Sequence, residues 1–155
     1  MFTAGEILGM AVQIEENGQQ FYRQASDSAL KPDLKELWQW LAEEEAQHKK
    51  FFLEIKSSLK TAKGQQWAAQ MGEEILQSLV KDRGFSLEEV QFDAVGDERE
   101  LIRVGIGLEE DSIDFYEILL GFIDDPITVE HVHEILAEER EHLASLKKRL
   151  ASLGG

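Results

Sequence analysis

The sequence predicts an all-α fold in which four long helices pack as two helical hairpins joined by a long crossover. Glu, Leu, Ala, Gln and Lys are abundant in the 155-residue chain, which has two prolines and few stretches of alternating polar and apolar residues. At this length we expect one domain, residues 1–155, with a sizeable buried core. Helical start signals and an internal repeat support this organisation.

Start signals divide the chain into four predicted helices. Thr3 and Glu6 form a capping box, Pro32 suits a first helical turn, and Asp97 and Asp125 are plausible caps for two later helices. The predicted helices span about 3–29, 32–61, 97–121 and 126–151. Short loops within each pair favour antiparallel packing, and the crossover of residues 62–96 is typical of a ferritin-like bundle rather than a simple up-and-down bundle.

The composition excludes several classes of function. The net charge of -15 argues against a nucleic-acid backbone or an anionic membrane as a partner. Because the chain has no cysteine, it cannot form disulfides, thiolate zinc sites, iron–sulfur sites or a cysteine nucleophile. No signal-peptide pattern and no apolar segment of membrane-spanning length is found, so we expect a soluble cytoplasmic protein.

Each predicted helix has an apolar seam, at alternating steps of three and four residues, that polar side chains interrupt near its middle. The seam of the second helix passes from Leu41 through Glu45 and His48 to Phe52. The interruptions of the other seams are Glu15, Glu109, and Glu139 with His142. An unpaired buried carboxylate is too costly to keep without compensation. The acids that lie off the seams are expected to be solvated or weakly paired on the surface: Glu43, Glu44, Glu138 and Glu141.

The two halves of the chain repeat, such that residue n matches residue n + 94, as Glu15 matches Glu109. "IEENGQQFY" is echoed by "LEEDSIDFY", and "EEEAQH" by "AEEREH". Each half therefore supplies one seam glutamate followed by a Glu-x-x-His motif. A single motif of this kind is weak evidence in a glutamate-rich chain, but two in register with matching glutamates, Phe-Tyr pairs and prolines are hard to attribute to chance.

This pattern predicts a dinuclear metal site in the middle of the bundle. Residues three apart share a helix face, so one Glu-x-x-His can present a carboxylate and an imidazole to the same metal. Four ionised glutamates and two divalent ions balance in charge. The donors match those of dinuclear iron and manganese bundles, and they favour iron or manganese over copper or structural zinc. The predicted ligands are Glu15, Glu45, His48, Glu109, Glu139 and His142.

At these motifs the chain resembles the di-iron part of the rubrerythrin family, in the ferritin-like superfamily, over nearly its whole length. The resemblance implies two iron ions, with manganese as the alternative, and redox chemistry with hydrogen peroxide or dioxygen. It implies bridging carboxylates from Glu45 and Glu139, terminal carboxylates from Glu15 and Glu109, and one histidine per iron. It also implies that Tyr22 and Tyr116 hydrogen-bond to ligand carboxylates; the alternative role for both is ordinary core packing.

Two departures from the family pattern change what the resemblance implies. Rubrerythrins carry a cysteine-ligated iron centre that supplies electrons, so this chain would need an external donor such as a rubredoxin-like protein or a reductase. Family members also have an extra glutamate one turn after the first ligand of the third helix, where this chain has Ser112, the repeat partner of Gly18. We therefore expect a more symmetric metal site. A homodimer is also expected.

The sequence is compatible with three functions. The first is a di-iron oxidoreductase that reduces peroxide or consumes dioxygen. The second is an iron-handling protein that takes up or oxidises ferrous ions without an organic substrate. The third is a bundle whose metal site only stabilises the fold, and the presence of all six ligands argues against it. The first two differ in turnover, because an enzyme cycles with a reductant whereas a store accumulates iron.

Overall fold

The computed structural model describes residues 4–58, 98–121, 123 and 125–154. These residues form four helices: α1 (Ala4–Ser28), α2 (Pro32–Ser58), α3 (Glu98–Leu120) and α4 (Pro126–Ser152). No strand occurs within these ranges, so the predicted all-α fold is confirmed for them. The predicted crossover and the last residues of the second predicted helix lie outside the described ranges.

The helices pack in two pairs, α1 with α2 and α3 with α4, and α1 also contacts α3. Because a short loop joins the members of each pair, they run antiparallel. The contact of α1 with α3 places the two hairpins against each other, as a four-helix bundle requires. None of the helices in the described ranges has both the length and the apolar character needed to cross a membrane.

The start of α4 shows how the local sequence sets a helix boundary. The Asp125 side chain accepts a hydrogen bond from the backbone N–H of Thr128 at 2.9 Å and another from its hydroxyl at 2.6 Å. Pro126 occupies the first turn, where its missing N–H would have no partner in the helix. The Asp-Pro pair therefore starts the helix at the residue that the sequence predicts.

Apolar side chains fill both ends of the bundle and leave a polar layer between them. In one cluster Tyr116 stacks on Phe52, with ring centroids 5.1 Å apart, and in the other Tyr22 stacks on Trp38 at 5.6 Å. Along every helix, the buried glutamates and histidines fall between members of these two clusters. The core thus surrounds the polar layer with apolar side chains above and below it.

A glycine lets α3 approach the aromatic cluster closely. A Cβ atom at Gly105 would lie 3.3 Å from the Leu146 side chain and 3.4 Å from the Tyr22 ring. The Tyr22 hydroxyl also donates a long hydrogen bond of 3.4 Å to the Gly105 carbonyl oxygen. A larger residue at this position would displace the tyrosine, whose hydroxyl reaches the polar layer.

Candidate metal centre

The polar layer combines one glutamate from each of α1 and α3 with a Glu-x-x-His motif from each of α2 and α4. All six side chains are buried, with at most 3% of the residue surface exposed. The structure thus brings together every residue that the sequence predicts as a ligand: Glu15, Glu45, His48, Glu109, Glu139 and His142. Their role as metal ligands remains a prediction.

Two overlapping groups make up the layer. One contains Glu15, Glu45, His48 and Glu139, and the other contains Glu45, Glu109, Glu139 and His142. Within each group, one ligand-type atom from every member lies within 4.8 Å of the others. Glu45 and Glu139 belong to both groups, which is the arrangement that two bridging carboxylates require.

Both histidines direct their Nδ1 atoms toward the carboxylates of the layer. His48 Nδ1 lies 2.9 Å from Glu139 Oε1 and 3.5 Å from Glu15 Oε2. His142 Nδ1 lies 3.5 to 3.6 Å from carboxylate oxygens of three glutamates. The two rings are nearly parallel, at 19°, with centroids 6.0 Å apart. Each ring can therefore offer one nitrogen to its own group of carboxylates.

Many buried polar atoms of the layer have no hydrogen-bond partner among the described residues. They include Oε2 of Glu15, Glu109 and Glu139 and both ring nitrogens of His142. Buried polar atoms are almost always satisfied in folded proteins. Two cations bound between the carboxylates and imidazoles would satisfy most of these atoms at once, so the residues fit a dinuclear metal centre.

The pKa values show how the layer balances its charge when no metal is bound. Burial, followed by the neighbouring carboxylates, raises the pKa of Glu45 well above its usual range. Burial and the nearby Glu139 raise the pKa of Glu109 to about 7. Burial opposes protonation of both histidines, but their contacts with carboxylates outweigh it and raise the pKa of His48 to about 12 and that of His142 to about 10. Protons thus replace part of the positive charge of a metal, and a metal would displace them.

Each tyrosine of the repeat hydrogen-bonds to the buried glutamate on the first helix of the other half. Tyr22 on α1 donates to Glu109 Oε1 on α3 at 2.7 Å, and Tyr116 on α3 donates to Glu15 Oε1 on α1 at 2.6 Å. Burial and the surrounding carboxylates raise the pKa of both tyrosines well above the usual range. Both hydroxyls therefore remain protonated and can act as hydrogen-bond donors. The two tyrosines therefore link α1 and α3 through the polar layer.

Comparison with known proteins agrees with this geometry. A model of the rubrerythrin family matches residues 6–150. The chain belongs to the rubrerythrin family. It is also similar to the crystal structure of a putative ferritin-like diiron-carboxylate protein from Thermotoga maritima, with 21% identity and a TM-score of 0.71 over 97% of this chain and 95% of that chain. This likeness confirms the ferritin-like fold. No match was found among curated proteins.

One prediction about the acids of this rubrerythrin family member is correct only in part. The sequence places Glu138 among solvated or weakly paired surface residues. Its side chain is 45% exposed, as a surface residue would be, but its Oε2 lies 2.5 Å from Nε2 of the buried His48. Glu138 lies off the seam of α4, but its long side chain reaches across to α2. Its repeat partner Glu44 faces Nε2 of His142 at 3.9 Å, beyond hydrogen-bond distance. Both acids precede a predicted ligand at the same repeat position, but only Glu138 makes a close contact, so the repeat alone does not predict it.

The position of the family's extra glutamate carries no ligand in this chain. Ser112 is buried, and its hydroxyl donates to the backbone oxygen of Leu108 at 3.0 Å. A Cβ atom at Gly18, the repeat partner of Ser112, would lie 3.4 Å from the carboxylate carbon of Glu45. The rubrerythrin fold is therefore present with two similar sets of donors and without a seventh carboxylate in these two places.

Proposed function

We propose that this chain is a non-haem di-iron oxidoreductase that reduces hydrogen peroxide or dioxygen with electrons from an external donor. The observation that carries the proposal is the pair of buried donor groups sharing Glu45 and Glu139, because it can hold two redox-active ions side by side. Two ferrous ions would supply the two electrons that convert one hydrogen peroxide molecule and two protons into two water molecules. Manganese is the alternative metal, since carboxylates and imidazoles also bind it.

In this proposal the protein residues hold the ions and fix their surroundings. Glu45 and Glu139 would be shared by the two ions, while Glu15 with His48 and Glu109 with His142 would complete one position each. The tyrosines donate hydrogen bonds to the terminal carboxylates and so limit their rotation. The apolar clusters on both sides keep bulk water away from the layer.

The reductant has to come from outside this chain. Without cysteine the chain cannot hold a cysteine-ligated iron centre of its own. We propose a one-electron carrier such as a rubredoxin-like protein, or a reductase, as the donor. Each turnover with peroxide consumes two electrons, so the donor must act twice.

Anaerobic loading with Fe²⁺, followed by mixing with peroxide or with air, tests the proposal. We expect one peroxide molecule to oxidise two bound Fe²⁺ ions, and a chemical reductant to restore the ferrous form for further cycles. Glu45→Ala should weaken iron binding at least ~10-fold, because loss of even an indirect contact to a metal site usually costs that much. Glu43→Ala is the matched control, since Glu43 is exposed on the same helix. Full-strength binding of two ions by Glu45→Ala would contradict the assignment.

The second candidate is an iron-handling protein that oxidises ferrous ions without a further substrate. It is favoured by the same pair of buried donor groups, which can bind ferrous ions whether or not a further substrate is present. The two functions separate when Fe²⁺ is supplied in excess with oxidant and reductant. An oxidoreductase consumes oxidant repeatedly at a constant iron content, whereas an iron-handling protein passes on or accumulates iron and stops when Fe²⁺ is exhausted.

A further inference from the structure

The two histidines of the metal centre have different surroundings on the side that faces away from the carboxylates. His48 Nε2 lies 2.5 Å from Glu138 Oε2. His142 Nε2 has no hydrogen-bond partner in the described residues, and Glu44 remains 3.9 Å away. Instead, the ring of Trp40 packs against the His142 ring at 79°, with centroids 5.0 Å apart. The repeat is thus nearly symmetric in its six donors and asymmetric just outside them.

This difference has a chemical consequence for metal binding. A histidine that binds a metal through Nδ1 must carry its proton on Nε2 and must keep its ring pointed at the metal. A carboxylate that accepts a hydrogen bond from Nε2–H fixes both features and makes the ring a stronger donor. Glu138 is placed to do this for His48. For His142, ring packing against Trp40 restrains the orientation but does not select the tautomer.

We propose that Glu138 is a positioning residue that makes the His48 position bind metal more tightly than the His142 position, so that the two ions load in sequence. The first ion enters between His48, Glu15 and the two shared carboxylates. The second then completes the group around His142. The proposal rests on the two-ion site of the proposed function but not on its redox chemistry. Metal binding and redox activity can therefore be tested separately.

A titration of the metal-free protein with Mn²⁺ tests this order directly. Calorimetry should resolve a tighter and a weaker binding step. Low-temperature electron paramagnetic resonance should show an isolated Mn²⁺ ion up to one equivalent and a spin-coupled pair only beyond it. A wild-type protein that binds both ions with one affinity, or that forms the coupled pair from the first addition, would overturn the proposal.

The repeat offers a matched pair of variants. Glu138→Ala should weaken the tighter step at least ~10-fold, as is usual when the partner of a ligand histidine is lost, and should merge the two steps. Glu44→Ala should leave both steps as in the wild type, because Glu44 makes no hydrogen bond to His142. Equal weakening by both variants, or by neither, would overturn the proposal.

Two further readouts separate positioning from a merely structural effect. With diamagnetic Zn²⁺ bound, the Nε2 proton of His48 should exchange with solvent faster in Glu138→Ala than in the wild type. Glu138→Gln, which keeps an acceptor oxygen without the charge, should recover part of the affinity. If Glu138→Ala does not fold, Glu138→Gln tests the proposal instead. A partial loss of affinity in the tighter metal-binding step would support the proposal, and an affinity equal to that of the wild type would contradict it. A protein that binds the two ions one after the other, but whose ferrous form reacts with neither peroxide nor dioxygen, would overturn the proposed function alone.

Discussion

At the scale of single residues, the hydrogen bonds of the tyrosines show how the protein holds its carboxylates. Tyr22 and Tyr116 are completely buried, and the hydroxyl of each donates a hydrogen bond to a glutamate on the neighbouring helix. A buried carboxylate gains from every such donor, because water cannot replace it. The loss of a hydroxyl should therefore be measurable even though the ring remains.

Tyr22→Phe should lower the free energy of unfolding of the metal-free protein by about 1 kcal/mol, the usual net value of a buried hydrogen bond. The ring packing against Trp38 is preserved, so the change in stability reports the hydrogen bonds of the hydroxyl, the short one to Glu109 and the long one to Gly105. Urea denaturation measures the change, and Tyr116→Phe should behave in the same way because its geometry matches. If one variant lowered the free energy of unfolding several times more than the other, the two tyrosines would not be equivalent.

Ser112→Glu should make the ferrous protein react faster with peroxide, because a carboxylate one turn from Glu109 can provide an additional ligand. The serine is too short for this, and its hydroxyl is engaged by the backbone oxygen of Leu108. Stopped-flow oxidation of both proteins by peroxide and by air measures the effect. Ser112→Ala is the control and should keep the wild-type rate. A glutamate variant that oxidises no faster with peroxide would show that the missing carboxylate does not limit the reaction.

At the scale of the helices, each motif is positioned by where its helix begins and by which neighbour it faces. α4 carries Glu139 and His142, and Asp125 with Pro126 sets its start. The seam residues and the internal repeat made the six candidate ligands predictable, because a carboxylate or imidazole stands out where a leucine belongs. The contact of Glu138 with His48 was not predictable in this way, since it depends on how α4 is rotated against α2. The hydrogen bonds of Tyr22 to Glu109 and of Tyr116 to Glu15 likewise depend on α1 lying beside α3.

Asp125→Ala should destabilise the protein by about 1 kcal/mol, the typical cost of removing an N-cap. The side chain that accepts from the backbone N–H of Thr128 is lost, and the first turn of α4 loses a partner. The predicted ligands on α4, Glu139 and His142, lie several turns further along, so metal affinity should stay as in the wild type. Thermal unfolding measures the expected loss of stability, and a Mn²⁺ titration measures whether metal affinity is unchanged. An unchanged unfolding temperature would mean that the cap contributes nothing.

At the scale of the whole molecule, the buried layer of glutamates and histidines couples stability to pH. A group whose pKa is raised by folding stabilises the fold fully below its unfolded pKa and loses this contribution as the pH rises to its folded pKa. For Glu109 this window runs from 4.5 to about 7, and for His142 from 6.5 to about 10. Both windows therefore make the metal-free protein less stable as the pH rises through neutrality.

The free energy of unfolding of the metal-free protein should fall steadily between about pH 5 and pH 9. Added Mn²⁺ should stabilise the protein most at the upper end of that range, because fewer protons then compete for the ligands. Glu109→Gln should flatten the lower part of the curve, and Glu43→Gln, an exposed control, should not. A metal-free protein whose stability rises over this range would contradict the pKa shifts.

Six buried side chains from four helices are proposed to hold two metal ions. Anaerobic equilibrium titration of the metal-free protein with Fe²⁺, with the bound iron counted, tests this claim most directly. The predicted result is two ions for each four-helix site, together with a marked loss of binding in His48→Ala. Binding of one ion or none by the wild-type protein, or of two ions at unchanged affinity by His48→Ala, would contradict the claim.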